Sequence, residues 1–594
     1  MPTETTETAE TTDPMTEILD RRRAELESME SCDLLIVGGG VTGAGIAREA
    51  AYRGLSVLLA EKDDFASGTS SRSSKLVHGG LRYLEQFELR LVFEATRERS
   101  TLMRIAPHLV RPLKFIYPVY EGGTPGMPLL AAAMALYDSL SLFRSPRLHR
   151  LYGEAAAHRV EPLLRNDGLT GAAQYFDGAT DDARLTLETI LGARLAKAVC
   201  LNHLETMGIE EAREASGSWV TLRCRLTGTE KTIQAGSIVL AVGPWTDRVR
   251  SHLGLPNAER PLLRTTRGSH LVVDRARLPL AHALVMSGHG DARVTFAIPW
   301  DERVIIGTSD IDDDAPPEQV RASAEEVAYL LQTANSHLPS VQLRRDDVIS
   351  TYSGLRPLIR EEGQRPSEVS REHEIVEEKG VVIVAGGKLT TYRSMAEEVV
   401  DRVVRTLADR GAVAAGRPLR PLRRSAIGRL ADRWSELADG EVMARRGTTA
   451  RRILPGAVGL TGARGPKRVM ALLSAQIHDS RTVQHLVRRY GGRSHQIAAL
   501  CRDNPELSER IVPDLPVIWA EIPFAAQRDL ARSLIDVLDR RTALALRDRS
   551  QGTGAAPRAA DILSPLLGWD ASERKRQIDA YGEHVARSCA WREE

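Results

Sequence analysis

DLLIVGGGVTGAGIAREAAYRGLSVLLAEK, residues 33–62, decides the fold of this chain. An apolar run of strand type leads straight into Gly38-x-Gly40-x-x-Gly43, an apolar helix follows from about Val41, and a second strand ends at Glu61, 23 residues beyond Gly38. Each part has a physical task. Gly38 permits a tight turn, Gly40 lets the backbone approach a pyrophosphate, and Gly43 lets helix and strand pack closely. The helix N-terminus presents unpaired N–H groups to phosphate oxygens, and Glu61 is placed to accept hydrogen bonds from ribose hydroxyls. Gly39 and Thr42 complete the turn. A strand, glycine turn, helix, strand and acid in this order predict a dinucleotide-binding unit, without separating FAD from NAD.

Outward from that unit, apolar runs at Leu34–Val37, Val57–Ala60, Ile238–Val242 and Val381–Val384 alternate with helical segments, as in an α/β fold. The run WVTLRCRL puts Val220, Leu222, Cys224 and Leu226 on one face with polar residues between, the pattern of a half-exposed antiparallel strand. Residues 1–30, rich in Thr and Glu, are expected to be a solvated acidic tail, with folding starting near Ser31. Residues 31–407 then hold the interleaved α/β and antiparallel parts. The text DRGAVAAGRPLRPLRRS reads as a linker over 408–425, and residues 426–594 as an all-helical domain. In RTVQHLVRRYGG, Val483, Leu486, Val487 and Tyr490 follow helical spacing and Gly491 stands where a helix ends. Leu530, Leu534 and Leu538 repeat that spacing.

Composition excludes much else. The 594 residues are 42% hydrophobic and 27% charged, which is globular, and 80 basic against 79 acidic side chains leave a net charge of +1. Such a balance gives no global field for nucleic acid, so any anion must be held locally. Five scattered cysteines without C-x-x-C spacing suggest neither a disulfide framework nor a zinc site, and point to a reducing, cytoplasmic compartment. Six acidic and no basic residues in the first twenty are the reverse of a secretory leader. The longest uncharged run, Gly122–Tyr137, has 16 residues and two prolines, short of the roughly 20 apolar residues a spanning helix needs.

The segment after the dinucleotide unit, DFASGTSSRSSKLVHGGLRYLE, crowds small hydroxyl residues before Gly79 and Gly80. With APHLV (106–110), DDARL (181–185), GPWTD (243–247), RGSHLVV (267–273), IPWDERVIIGTSD (298–310), YSGLRPL (352–358) and GGKLTTYR (386–393), it resembles the FAD-dependent glycerol-3-phosphate dehydrogenases, within the glycine oxidase and amino-acid oxidase type of flavoprotein. The resemblance runs over about residues 33–400, and RYG, ALCRDNPEL and DVLDRRT extend it into the helical region. It implies a Rossmann-like FAD-binding domain interleaved with an antiparallel, β-rich substrate domain, followed by an all-helical C-terminal domain. FAD is the implied cofactor and no metal is expected. Thr69, Ser70, Ser71, Lys75, His78, Gly80, Gly243, Gly387 and Lys388 join the glycine turn and Glu61 as implied FAD contacts.

The implied substrate is glycerol 3-phosphate. Arginine suits its phosphate because a planar, permanently charged fork donates two hydrogen bonds at once. By match to the family Arg82, Arg356 and Arg371 are the candidates, with Tyr83 closing the pocket. His270 is the implied base, since imidazole titrates near neutrality, while Lys388 and Arg356 would stabilise developing negative charge. The family passes electrons to a membrane quinone, which implies peripheral docking on the inner face of the plasma membrane; a homo-oligomer is also expected. Met127–Gly153, an apolar half followed by Arg144, Arg147, His149 and Arg150, reads either as an interfacial segment or as a buried helix with a basic loop. Two alternatives stand beside the dehydrogenase: a glycerol-3-phosphate oxidase that uses oxygen, and a flavin-binding regulator without turnover.

Overall fold

The computed structural model describes residues 24–84, 88–123, 125–142, 145–211, 217–288, 293–360, 373–409, 447–462 and 464–594, without the side chains of Arg82 and Tyr83. Most of the expected linker and residues 426–446 therefore lie outside the described residues, as does Arg371.

Two sheets make up the N-terminal two thirds. In the first, Val381–Gly386, Glu230–Leu240, Ser31–Val37, Val57–Ala60 and Val199–Leu201 lie side by side and parallel in that order. Side chains alternate along its central strands because successive residues of a strand point to opposite faces. Leu34 and Ile36 enter one core with Ala47 of the helix Val41–Tyr52, Ile190 of Asp182–Leu195 and Val399 of Tyr392–Asp409. Leu35 and Val37 enter another, with Leu58 and with Val220 and Leu222 of an antiparallel extension formed by Leu204–Glu211 and Ser218–Cys224. The parallel strands are buried on both faces, which is why they read as continuous apolar runs.

Among the described residues the second sheet has ten strands. Its order is Ile311–Asp312, Leu263–Asp274, Arg303–Gly307, Val294–Trp300, Ala283–Ser287, Arg111–Tyr120, Leu169–Ala179 and Leu76–Val77. Val348–Ile359 and Arg150–Gly153 pair off this path. Every pairing is antiparallel except that of Ala283–Ser287 with Arg111–Tyr120. The mixed α/β architecture and the helical C-terminal region match the sequence reading.

Four boundaries differ from it. Residues 24–30 belong to the packed structure, since Leu26 is buried in the core beside Leu35 and Glu25 pairs with Arg194 at 2.7 Å. The expected linker begins at 408, whereas the helix Tyr392–Asp409 runs two residues into it, with Leu407 buried. The strand read through WVTLRCRL stops at Cys224, and Leu226 lies exposed in the following turn. Leu530 stands outside the helical repeat: its φ is 63°, the preceding helix ends at Arg528, and only Leu534 and Leu538 are helical. The helix over Ser480–Tyr490 buries Val483, Leu486, Val487 and Tyr490 and ends at Gly491 with φ 59°, as its spacing predicts.

Buried ion pairs join the C-terminal helices to the N-terminal sheets. Asp64, just past the second strand, accepts from Arg540 Nε at 2.7 Å and from both terminal nitrogens of Arg541 at 2.6 and 2.8 Å. Arg184 pairs with Asp529, Glu188 with Arg493 at 3.0 Å, and Asp181 with Arg489. Further along, Trp591 is buried in the core of the substrate sheet beside Ala322 and Val348. His108 lies against Gly456 and Gly491 of the same seam, and burial pushes its pKa down to about 4.

Removing one side of a buried pair leaves charge uncompensated, so Asp64→Ala is expected to cost about 3–5 kcal/mol and lower the calorimetric Tm; an unchanged Tm would refute the clamp. His108 is neutral when folded and takes a proton near pH 6.5 when unfolded. The unfolded chain therefore binds more protons, and stability falls as pH drops from 6.5 towards 4, by about 1.4 kcal/mol per unit from this group. A His108→Gln variant should lose stability less steeply over that window, read as Tm against pH.

Candidate active site

The glycine turn is fixed by sterics. Gly38 has φ +110°, and a Cβ there would stand 2.5 Å from the carbonyl oxygen of Ala241, just past the neighbouring strand. At Gly43 a Cβ would stand 1.9 Å from Gly38 O, so the helix can start where it does only with glycine at this point. Gly39 N–H donates to Glu61 Oε2 at 2.6 Å and Asp63 N–H to Glu61 Oε1 at 2.8 Å, while Ser70 Oγ accepts from Val41 N–H at 2.9 Å. Burial pushes the Glu61 carboxyl up to about 7, against the pull of those two N–H groups. Glu61 thus sets the turn as well as facing the space beyond it.

That space is a cavity of about 410 Å³. Gly38, Gly40, Thr42 and Glu61 line it at one end, Thr69 and Ser70 along the side, and Gly243, Gly387 and Lys388 farther on. Trp245 and Lys62 also line it; both donate to Glu318, at 2.5 and 2.9 Å, and with their help Glu318 is held down at about 2 against the opposing effect of burial. Glycine backbone at the helix start, an acid on the second strand and a long cleft between them fit an adenine dinucleotide.

A second chamber of about 720 Å³ adjoins the first, and Thr69, Ser73, Pro357 and Gly387–Leu389 wall both. His270 and Arg356 reach it from paired strands of the second sheet. In their register His270 faces Tyr352 and Thr266 faces Arg356, so period-two alternation puts the His270 and Arg356 side chains on one face. Glycines make the room. A Cβ at Gly307 would stand 2.2 Å from the His270 ring, and one at Gly268 would stand 2.9 Å from Arg356 Nη2.

His270 is 2% exposed and stacks on Tyr352 with ring centroids 4.7 Å apart. Its Nε2 lies 2.8 Å from Ser74 Oγ, and its buried Nδ1 has no hydrogen-bond partner among the described residues. Burial, then the positive charges of Arg356 and Lys75, hold its pKa well below the ordinary histidine range, so the imidazole is neutral and able to accept a proton. Arg356 donates to Asp310 at 2.5 Å and to Thr308 at 3.1 Å. Arg293 brings a further guanidinium to the chamber wall; Arg72 also lines it, but its Nη1 donates to Ser353 O at 3.2 Å and its charge faces Asp539 and Arg540. Arg293 lies 4.4 Å over the Tyr329 ring.

Other expected site residues are distributed as follows. His78 and Gly80 line the chamber, and His78 N–H donates to Thr390 Oγ1 at 3.2 Å. The short turn Leu81–Leu84 that carries Arg82 and Tyr83 borders it through Leu81 and Leu84; those two side chains, like Arg371, are outside the described residues. Gly39, Gly43, Ser71 and Lys75 line neither cavity. Lys75 is tied behind the wall, to Asp182 at 2.6 Å and to Ser71 O at 3.1 Å. Sequence reading missed Arg72, Ser74, Arg293, Thr308 and Asp310. Ser74, Arg72 and the Thr308–Asp310 stretch sit inside stretches already singled out, whereas nothing in its surroundings marks Arg293.

The chamber mouth is apolar. Leu129, Ala133 and Leu136 of the helix Met127–Leu140 line it, and Leu129 and Leu136 are 64% and 42% exposed. His149 of the basic stretch is tied back to this helix through Asp138 at 2.8 Å, and Arg144 is outside the described residues. Among the described residues no helix is long and apolar enough to cross a membrane.

Comparison with known proteins agrees with this geometry. Residues 33–402 match the family model of FAD-dependent oxidoreductases, and residues 448–574 match that of the C-terminal domain of alpha-glycerophosphate oxidase. A glycerol-3-phosphate dehydrogenase of Synechocystis sp. is 36% identical over 94% of this chain and 97% of its own length. An aerobic glycerol-3-phosphate dehydrogenase of Staphylococcus aureus is 40% identical over 63% of this chain and 67% of its own. The crystal structure of the glycerol-3-phosphate dehydrogenase from Bacillus halodurans complexed with FAD superposes with a TM-score of 0.74 at 28% identity, covering 97% of this chain and 98% of that one. A glycine cradle, a cleft leading from it to a chamber with histidine and arginine, and a helical domain clamped behind them therefore have one common ancestry: the chain belongs to the family of FAD-dependent glycerol-3-phosphate dehydrogenases.

Proposed function

We propose that the protein oxidises sn-glycerol 3-phosphate to dihydroxyacetone phosphate and passes the electrons through FAD to a membrane quinone. One observation carries the reading: a buried, neutral His270 shares with Arg356 and Arg293 a chamber that adjoins the dinucleotide cleft. Bound FAD supplies the acceptor for the hydrogen and electron pair that leave C2. The remaining work belongs to the chain. Arg356 and Arg293 hold the phosphate dianion in a partly dry site, where charge-assisted hydrogen bonds are strong. Asp310 and Thr308 aim the Arg356 fork. His270, oriented by Ser74 and Tyr352, takes the C2 hydroxyl proton as the carbonyl forms. Lys388, on the wall shared by both cavities, offsets the negative charge that develops there. A hydride from C2, carrying both electrons, and a proton from the C2 hydroxyl leave the alcohol.

For the acceptor, the exposed Leu129 and Leu136 at the chamber mouth support a peripheral surface reached by an apolar quinone. They are joined by Leu89 and Phe93 of the neighbouring helix Leu89–Ile105, exposed at 41% and 39%. Oxygen is the second reading, favoured by the oxidase description of the matching C-terminal family model.

Anaerobic glycerol 3-phosphate is expected to bleach the flavin of the purified holoprotein; lasting colour at saturating substrate would overturn the reading. A quinone analogue should then restore the colour faster than air does, and the reverse order would establish oxygen. His270→Ala is expected to slow flavin reduction about 100- to 10,000-fold with a smaller change in substrate affinity. Arg356→Ala should damage both, and small, equal effects of the two variants would remove these roles. At Gly40 a Cβ would stand 3.1 Å from Ser70 Oγ and would occupy the path of a pyrophosphate. Gly40→Ala should fold yet bind FAD at least about tenfold more weakly, read by flavin content and fluorescence titration.

A further inference from the structure

A third cavity, of about 430 Å³, lies between the C-terminal helices and the second sheet and shares no lining residue with the cleft or the chamber. Its wall is strongly cationic. Arg111, Lys114 and Arg275 come from the sheet side, and Arg481, Arg488, Arg489 and Arg547 from the helices, against the carboxylates of Asp181, Asp301 and Glu302. Three carboxylates face these seven cations. Asp181 pairs with Arg489 and also accepts from the Arg184 N–H at 2.9 Å. Glu302 is shared between Arg547 and, at 3.4 Å, Arg481. Asp301 is shared between Arg488 at 3.3 Å and Arg111 at 3.9 Å. Lys114 and Arg275 have no carboxylate within ion-pair distance among the described residues, and Arg275 donates only to the backbone oxygens of Asp301 and Leu280.

Buried polar atoms of the wall point the same way. Thr180, 5% exposed, has an unpartnered hydroxyl among the described residues, and Nε of Arg547, 2% exposed, is likewise without a partner. A hydroxyl and a guanidinium N–H can each donate to an oxyanion. Buried polar atoms normally find partners, and clustered cations in a partly dry cavity repel unless an anion lies among them.

We propose that this interdomain cavity binds a small phosphoryl anion, a phosphate ester or a diphosphate, which crosslinks the C-terminal helices to the substrate sheet. The occupant is either the enzyme's own phosphorylated substrate at a second site or a separate diphosphate. Binding to the folded state alone raises Tm by mass action.

The test uses the holoprotein at ionic strength balanced with sodium chloride. Sodium pyrophosphate is titrated by calorimetry, and glycerol 3-phosphate is titrated separately into Arg356→Ala, whose substrate chamber is weakened. Saturable binding of either probe, one per chain and with a rise in Tm, is expected, and the tighter probe identifies the source. Lys114→Gln and Arg488→Gln should each weaken it at least about tenfold, the loss of one charge-assisted contact. Arg488 is half exposed, and neither residue lines the substrate chamber, so the KM for glycerol 3-phosphate should not move. No saturable binding of either probe, an affinity unchanged in both variants, or equal stabilisation by sodium chloride alone would overturn the proposal and leave the cavity a structural seam only.

Discussion

The closeness of Gly38 to Ala241 and Gly43 is the constraint on which the site depends. A turn with no side chain brings the first strand, the helix Val41–Tyr52 and the strand Glu230–Leu240 to one point, within less than a β-carbon's clearance. From that point the cleft opens in a fixed direction: Glu61 is held by Gly39 on one side, and Ser70 by Val41 on the other. The same economy of volume recurs in the second sheet, where Gly307 and Gly268 give His270 and Arg356 their places. Both halves of the site are thus positioned by absent side chains as much as by present ones.

Electrostatics does the larger-scale positioning. The loop after the second strand carries Asp64, and the first turns of Asp182–Leu195 carry Arg184 and Glu188; these three anchor the C-terminal helices through Arg540, Arg541, Asp529 and Arg493. Each anchor lies close in sequence to cleft or chamber residues, so the helical domain braces the cofactor side of the molecule directly. Buried pairs of this kind contribute modestly as a net term but are costly to break singly, which makes the docking geometry specific.

Much of this was legible in the sequence. The dinucleotide unit shows because turn, helix and strand are contiguous and each glycine has a local steric reason. His270 and Arg356 show only by resemblance, since the strands that align them are far apart in the chain and spacing says nothing of register. Ser74 and Asp310 escaped because each acts on another side chain rather than on a ligand, and Arg293 because a lone arginine in an arginine-rich chain carries no signal. Lys75 illustrates the converse: it belongs to a shared phrase, yet its ammonium is engaged with Asp182 behind the wall. Leu530 was read as helical from spacing alone, while its left-handed backbone ends one helix before the next begins. Local periodicity cannot see such a break.

Trp591 adds a consequence for the order in which the molecule is made. Its ring fills the core of the substrate sheet, and its carbonyl accepts from Arg345, 246 residues earlier. Strands that carry His270 and Arg356 are therefore synthesised long before the Trp591 side chain arrives. At ribosomal speeds of about 5–20 residues per second the sheet waits for some tens of seconds with its core short of that ring. Expression at lower temperature, or with a chaperone that shields that core, addresses the interval during which the nascent chain is most exposed to aggregation.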